Sequence, residues 1–149
     1  MCYQLFDFIF ITMKKHLLFL LFFLLLLGCT QNQTSNTNPY IPNYTFNISI
    51  NMDLPAYSKL KFASNAILYP NVGAKGLYIF NTGNAYNAFD AACPNQSLSD
   101  CSTMTLNGIN LVCPCDKEEY SLFTGLGKLT YPLKQYRVEV NGNVLRIYN

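Results

Sequence analysis

The chain has 149 residues, room for one domain around a single core. Its formal charge is +2, from 10 Lys+Arg against 8 Asp+Glu, and no basic run interleaves with aromatics, which excludes the electrostatic footprint of a nucleic-acid binder. The sole histidine is His16, so a Ser-His or Cys-His catalytic pair has no base beyond the N-terminal segment; no carboxylate pair stands out either, and the chain reads as a non-enzyme.

In chain order, residues 1–12 fit no targeting pattern, whereas Met13 followed by Lys14 and Lys15 begins a conventional signal, so Met13 is read as the true start. Residues 17–27 are an unbroken apolar run, too short to span a bilayer and of the right length for a signal-peptide core. Leu26-Leu27-Gly28-Cys29 resembles a bacterial lipobox, which implies a signal peptide over 1–28 and a diacylated Cys29 as the mature N-terminus. The expected location is the bacterial cell envelope, lipid-anchored to a membrane and facing the periplasm or the surface. Disulfides persist there. Residues 29–43 are polar and Asn/Thr-rich and read as a flexible tether, followed by a β-domain over 44–149.

Tyr44, Phe46, Ile48 and Ile50 alternate with polar residues, the period of a half-buried strand. Leu60 with Phe62, then Ile67 to Tyr69, suggest two further short strands, and Gly76 to Asn81 a core strand. Tyr86 to Phe89 follows the turn at Thr82-Gly83-Asn84 and leads to Cys93. Thr105 to Val112 carries a turn at Asn107-Gly108, and Asn141-Gly142 between Arg137–Val140 and Asn143–Tyr148 predicts a tight hairpin. No stretch after residue 43 has helical periodicity. The prediction is an all-β domain of roughly nine short strands.

Setting aside Cys2 and Cys29, four of the six cysteines remain: Cys93, Cys101, Cys113 and Cys115. An even number in a small exported domain reads first as two disulfides, with three pairings open.

The cysteine spacing carries a further signal. Cys93-Pro94-Asn95, then seventeen residues, then Cys113-Pro114-Cys115-Asp116 resembles a Rieske iron–sulfur site. Such a site uses Cys-x-His and Cys-x-x-His to hold a [2Fe–2S] cluster. Cys113 to Gly125 is similar to the family pattern Cys-Pro-Cys-His-Gly-Ser-x-Phe-x-x-x-x-Gly, with Asp116 in the His slot and Lys117 in the Gly slot. Tyr131-Pro132-Leu133 and the final hairpin resemble the proline segment and closing strands of that domain, so the likeness runs from about Phe46 to Asn149. It implies an antiparallel β-sandwich or barrel with two cysteine loops at one end. Both histidine positions are replaced, by Asn95 and Asp116, so Cys93, Asn95, Cys113 and Asp116 are degenerate cluster positions. The resemblance also implies a pairing. The first cysteines of the two boxes would face each other across the vanished iron, giving Cys93–Cys113. Respiratory-type members link their loops through a second disulfide, giving Cys101–Cys115. Five residues separate Asn95 from Cys101, so that loop is remodelled relative to the family.

Four readings of this constellation compete. One is a disulfide-stabilised structural or binding module with no cofactor and an unknown protein partner. Another is an electron-transfer protein with a [2Fe–2S] cluster on Cys93, Cys113, Cys115 and Asp116, or with Asn95 in place of Cys115. No twin-Arg pair precedes the apolar run, which points to Sec export of an unfolded chain and against a preassembled cluster. Zinc on the four cysteines is a third, with a tighter spacing at Cys113-Pro114-Cys115 than structural zinc sites use. Thiol–disulfide chemistry at Cys-Pro-Cys is the fourth, although redox motifs normally place two residues between the cysteines and precede a helix. Asp116, Glu118 and Glu119 read as a solvated acidic loop, and the abundant tyrosines mainly as strand residues with a buried ring.

Overall fold

The computed structural model describes residues 37–149. The expected signal peptide, Met13, His16, the lipidation site Cys29 and the first part of the tether lie outside the described residues.

The architecture is all-β and antiparallel. Among the described residues, nine strands form two sheets. The larger sheet contains β1 (Asn47–Asn51), β2 (Ala66–Tyr69), β3 (Leu77–Asn81), β4 (Tyr86–Asp90), β8 (Gln135–Asn141) and β9 (Val144–Tyr148), in the order β1-β9-β8-β4-β3-β2. The smaller is a meander of β5 (Thr105–Asn107), β6 (Asn110–Val112) and β7 (Glu119–Ser121). Helical structure among the described residues is limited to two 3-10 turns, Ser58–Lys61 and Asp100–Ser102. No helix there is long and apolar enough to cross a membrane.

Strand β3 explains how two cores coexist. All five of its residues are buried. Successive side chains of a strand point to opposite faces. Leu77 and Ile79 enter a cluster with Ile50, Leu60, Ala88, Tyr136, Leu145 and Ile147. Tyr78 and Phe80 enter a second cluster with Phe89, Met104, Leu111, Tyr120, Leu122 and the sulfurs of Cys93 and Cys113. The small meander therefore covers one face of β3 and β4, and its core contains the first disulfide.

Three expectations change in detail. Leu60 is buried, but within a 3-10 turn and not a strand, while Phe62 is exposed. Phe62 lies just beyond the turn, where the alternation of a strand has no partner to pair with. The two hairpins place their tight turns one residue later than Asn-Gly. Asn107 pairs with Asn110 and Asn141 with Val144, so the turn residues are Gly108-Ile109 and Gly142-Asn143. Each glycine has φ 60 and the following residue has no positive φ, the pattern of a turn with glycine at its first central position. Third, residues 38–43, expected in the tether, pack on the domain. Ile41 is buried, Asn38 Nδ2 donates to the Pro94 carbonyl at 2.8 Å, and Lys134 Nζ donates to the Ile41 carbonyl at 3.2 Å and to Asn43 Oδ1. A buried ammonium needs acceptors, and this strap supplies them.

Asp90, fully buried at the end of β4, is the polar counterpart of these cores. Its carboxyl oxygens accept from the N–H groups of Ala74, Lys75 and Ala92, at 2.7, 3.3 and 2.8 Å, and from the Tyr136 hydroxyl at 2.9 Å. At Gly73, with φ 71, a Cβ would stand 2.4 Å from Asp90 Oδ2, so the turn that reaches the carboxyl group must be glycine there.

The buried phenols set an alkaline limit on stability. Burial raises Tyr78, Tyr120 and Tyr136 above the ordinary value of 10.0, with the Asp90 charge adding to the shift at Tyr136. A raised folded value keeps its full stabilisation below the unfolded value and loses it above. Burial lowers Lys134, which acts in the opposite sense as pH approaches 10.5, one group against three. The urea midpoint should therefore fall above about pH 10, and Tyr136→Phe should flatten that fall; a midpoint series in buffers on either side of that pH checks both.

Candidate functional site

The two cysteine loops are short excursions closed at their bases by the backbone. The first leaves β4, and the chain returns beside itself. Cys93 N–H donates to the Ser102 carbonyl at 2.8 Å, Met104 N–H donates to the Ala91 carbonyl at 2.7 Å, and Ala92 bridges Thr103. The second joins β6 to β7. Cys113 N–H donates to the Glu118 carbonyl and Lys117 N–H to the Cys113 carbonyl, both at 2.9 Å. Both loops issue from the core shared by the two sheets.

Two disulfides tie the loops together. Cys93 bonds to Cys113 with a Cα separation of 5.6 Å, and Cys101 to Cys115 with 5.3 Å. Both separations lie in the normal range for unforced bridges. The environments differ. Cys93 and Cys113 are wholly buried, Cys101 is exposed and Cys115 is half-buried. The sulfurs of Cys93, Cys113 and Cys115 all lie within 4.8 Å of one another. Gln96 Nε2 donates to Cys113 Sγ at 3.2 Å, and the Ser99 hydroxyl lies 3.4 Å from Cys101 Sγ and 3.9 Å from Cys115 Sγ.

Asn95, the first residue in a histidine slot, is fully engaged. Its Nδ2 donates to the Tyr120 hydroxyl at 2.9 Å and to the Tyr131 carbonyl at 2.8 Å, while its Oδ1 accepts from Tyr131 N–H at 2.9 Å. The side-chain amide thus pins the Tyr131-Pro132-Leu133 segment to the first loop. Tyr120 is fully buried, and its hydroxyl accepts from Asn95. Asp116, in the other histidine slot, is exposed, and its Oδ1 accepts from Glu118 N–H at 3.0 Å, closing a local Asx turn. Lys117, in the glycine slot, keeps a left-handed backbone with φ 63. Glu118 Oε1 accepts from Lys128 N–H.

The donor set does not suit a [2Fe–2S] cluster. Thiolates and imidazoles are its usual ligands. The thiols of Cys93 and Cys113 are joined to each other, both ends of the Asn95 amide are committed, and Asp116 is turned into its own loop. Zinc on four cysteines meets the same obstacle, since both pairs are oxidised. Sequence reasoning missed the parts played by Gln96 and Ser99. Neither belongs to a motif, and only their positions one and four residues after Asn95 hinted at a role. The tyrosines separate in the structure. Tyr78, Tyr120 and Tyr136 are core residues with bonded hydroxyls, while Tyr131 and Tyr148 are half-buried.

No protein-family model matches the chain, and no curated protein matches it. Solved structures do. A chain of the complex of reduced oxygenase and oxidized ferredoxin in carbazole 1,9a-dioxygenase is 21% identical, with 70% of this chain and 92% of that chain covered and a TM-score of 0.46. The ferredoxin of carbazole 1,9a-dioxygenase from Nocardioides aromaticivorans IC177 is 13% identical, covering 70% and 97%, with a TM-score of 0.45. The Sphingomonas yanoikuyae B1 ferredoxin is 16% identical, covering 61% and 93%, with a TM-score of 0.44.

Two substitutions probe the loops from opposite directions. Asn95→Ala removes three hydrogen bonds and leaves the Tyr120 hydroxyl and the Tyr131 backbone unpaired, which should cost about 2–3 kcal/mol in urea denaturation. Lys117→Gly should stabilise by about 1 kcal/mol, because glycine adopts the left-handed conformation without the Cβ penalty.

Proposed function

We propose that the chain is a bacterial cell-envelope lipoprotein whose β-domain is a Rieske-like domain without a cluster. It serves as a disulfide-stabilised structural or protein-binding module, held to the membrane by acyl chains on Cys29, and it is not an enzyme. The observation that carries this reading is the commitment of the would-be ligands. Asn95 spends both ends of its amide on Tyr120 and Tyr131, and Cys93 is bonded to Cys113. The cysteine-box spacing supports the family likeness, and the lipobox resemblance supports the anchor.

A binding role has some support on the surface. Leu106 and Ile109 of the β5–β6 hairpin and Phe123 and Leu126 of the loop after β7 are exposed. Leu122 N–H donates to the Ile109 carbonyl at 3.0 Å, so that loop runs beside the hairpin turn. Exposed apolar side chains near one another are a common mark of a protein contact.

A second reading is a Rieske-type electron carrier with a [2Fe–2S] cluster on Cys93, Cys113, Cys115 and Asp116. It is favoured by one observation, the grouping of three of those sulfurs within 4.8 Å. Iron analysis separates the two. The domain, purified from an oxidising envelope, should hold no iron, show no visible absorbance and expose no free thiol. About two irons per chain, the content of a [2Fe–2S] centre, would sink the cluster-free reading.

A further inference from the structure

The two cysteine loops are joined by two disulfides. Here they are neighbours of opposite accessibility. Cys93–Cys113 is wholly buried, Cys101 faces solvent, and Cys115 Sγ lies within 4.8 Å of both buried sulfurs. A small movement of the Cys115 side chain, freed from Cys101, brings it into contact with the buried pair.

We propose that the four cysteines form a thiol–disulfide relay, in which a dithiol reduces the exposed Cys101–Cys115 bond and the released Cys115 thiolate exchanges with the buried Cys93–Cys113 bond. The first step consumes the external dithiol. Its two thiols become a disulfide, and Cys101 and Cys115 become thiols. The second step is internal and involves no net oxidation. Cys115 gives its proton to water, and the thiolate attacks Cys93 Sγ. The Cys93–Cys115 bond forms as the Cys93–Cys113 bond breaks, and Cys113 leaves as a thiolate that takes a proton from water. Exchange proceeds by this kind of attack, and it is faster when the leaving thiolate is stabilised.

The surrounding groups fit these roles. Gln96 Nε2 already donates to Cys113 Sγ at 3.2 Å, so the amide is in place to stabilise charge on that sulfur as it departs. Attack on Cys93 therefore has the better leaving group. It also avoids the small ring that a Cys113–Cys115 bond would close across Pro114. The Ser99 hydroxyl, 3.9 Å from Cys115 Sγ and 3.4 Å from Cys101 Sγ, can donate to either thiolate once the exposed bond opens. Gln96 is a positioning residue, and Cys115 is the exchanging nucleophile.

The relay goes beyond the proposed module role. It rests on both disulfides, and iodoacetamide treatment of the unreduced wild type checks those first. Any labelled thiol among the four would overturn the relay at that point. The decisive comparison uses Cys101→Ser and Cys115→Ser. Both lose the same exposed staple, but only the first keeps a thiol beside the buried bond. Under native conditions with dithiothreitol, followed by acid quench and peptide mapping, Cys93–Cys113 should be reduced at least about tenfold faster in Cys101→Ser, through a Cys93–Cys115 species. Equal rates in the two variants overturn the relay. Gln96→Ala added to Cys101→Ser should slow the reduction by roughly fivefold, as expected for loss of leaving-group stabilisation. A merely structural role for Gln96 would loosen the loop and speed reduction instead, and that result would remove Gln96 from the relay.

Discussion

The Cys93–Cys113 bond holds the molecule's two cysteine loops to one core. Its sulfurs pack with Tyr78, Phe80, Phe89, Met104, Leu111 and Tyr120, residues drawn from both sheets. Neither loop contains a strand of its own, and the first runs through the eight residues between Cys93 and the return at Ser102 with only one 3-10 turn. Closing a loop of 20 residues in the unfolded chain accounts for about 3 kcal/mol in the entropic model. The second bridge closes 14 residues at the surface and adds a comparable constraint. Because the first bridge is buried and the second is exposed, the pair is not redundant. One lies within the core, and the other joins the loops nearer the surface.

Asp90 connects this core to the rest of the sheet. It ends β4, two residues before the first loop begins, and it gathers the turn at Ala74-Lys75, the start of the loop at Ala92 and the hydroxyl of Tyr136 on β8. Charge-assisted hydrogen bonds of this kind are stronger than neutral ones, which offsets the cost of burying the group. Lys134, just before β8, accepts from Asp90 N–H through its carbonyl and donates its ammonium to the Ile41 carbonyl. The buried cation thereby fixes the strap at residues 38–43 against the domain.

Much of the fold was legible because β-structure leaves a short-range signature. The alternation at Phe46 to Ile50 and the apolar run at Leu77 to Phe80 gave β1 and β3, and the two Asn-Gly pairs located one hairpin and the turn of the other. The register slipped by one residue because Asn-Gly is compatible with two turn types, and only the cross-strand pairing decides which glycine position is used. The 3-10 turn at Leu60 was hidden for a related reason. Two apolar residues spaced by two satisfy a strand pattern, and burial of one alone is settled by tertiary packing. Strand β7 was missed because Glu119 and Ser121 flank Tyr120 in a stretch read as an acidic loop, yet that alternation is what buries Tyr120 against Leu111.

The candidate site was legible only at its cysteines. The spacing marked out Asn95 and Asp116, but not what they do, because most of their partners are backbone groups that no pattern encodes. Each has been drawn into loop structure. Asn95 binds across to Tyr131, and Asp116 closes a turn onto Glu118. Lys117 adds a strained backbone position to the second loop. It holds φ 63 without glycine, a conformation that costs an L-residue about 1–2 kcal/mol. Such strain persists where the surroundings over-determine it. Here the Cys113 carbonyl accepts from Lys117 N–H, the Asx turn at Asp116 follows directly, and Cys115 is covalently fixed two residues earlier. On the proposed reading, what a metal centre would have held by coordination is held instead by covalent bonds and committed amides. A bond between sulfurs can be opened by a passing thiolate and closed again, so on that reading the loops keep a redox-sensitive element of their own.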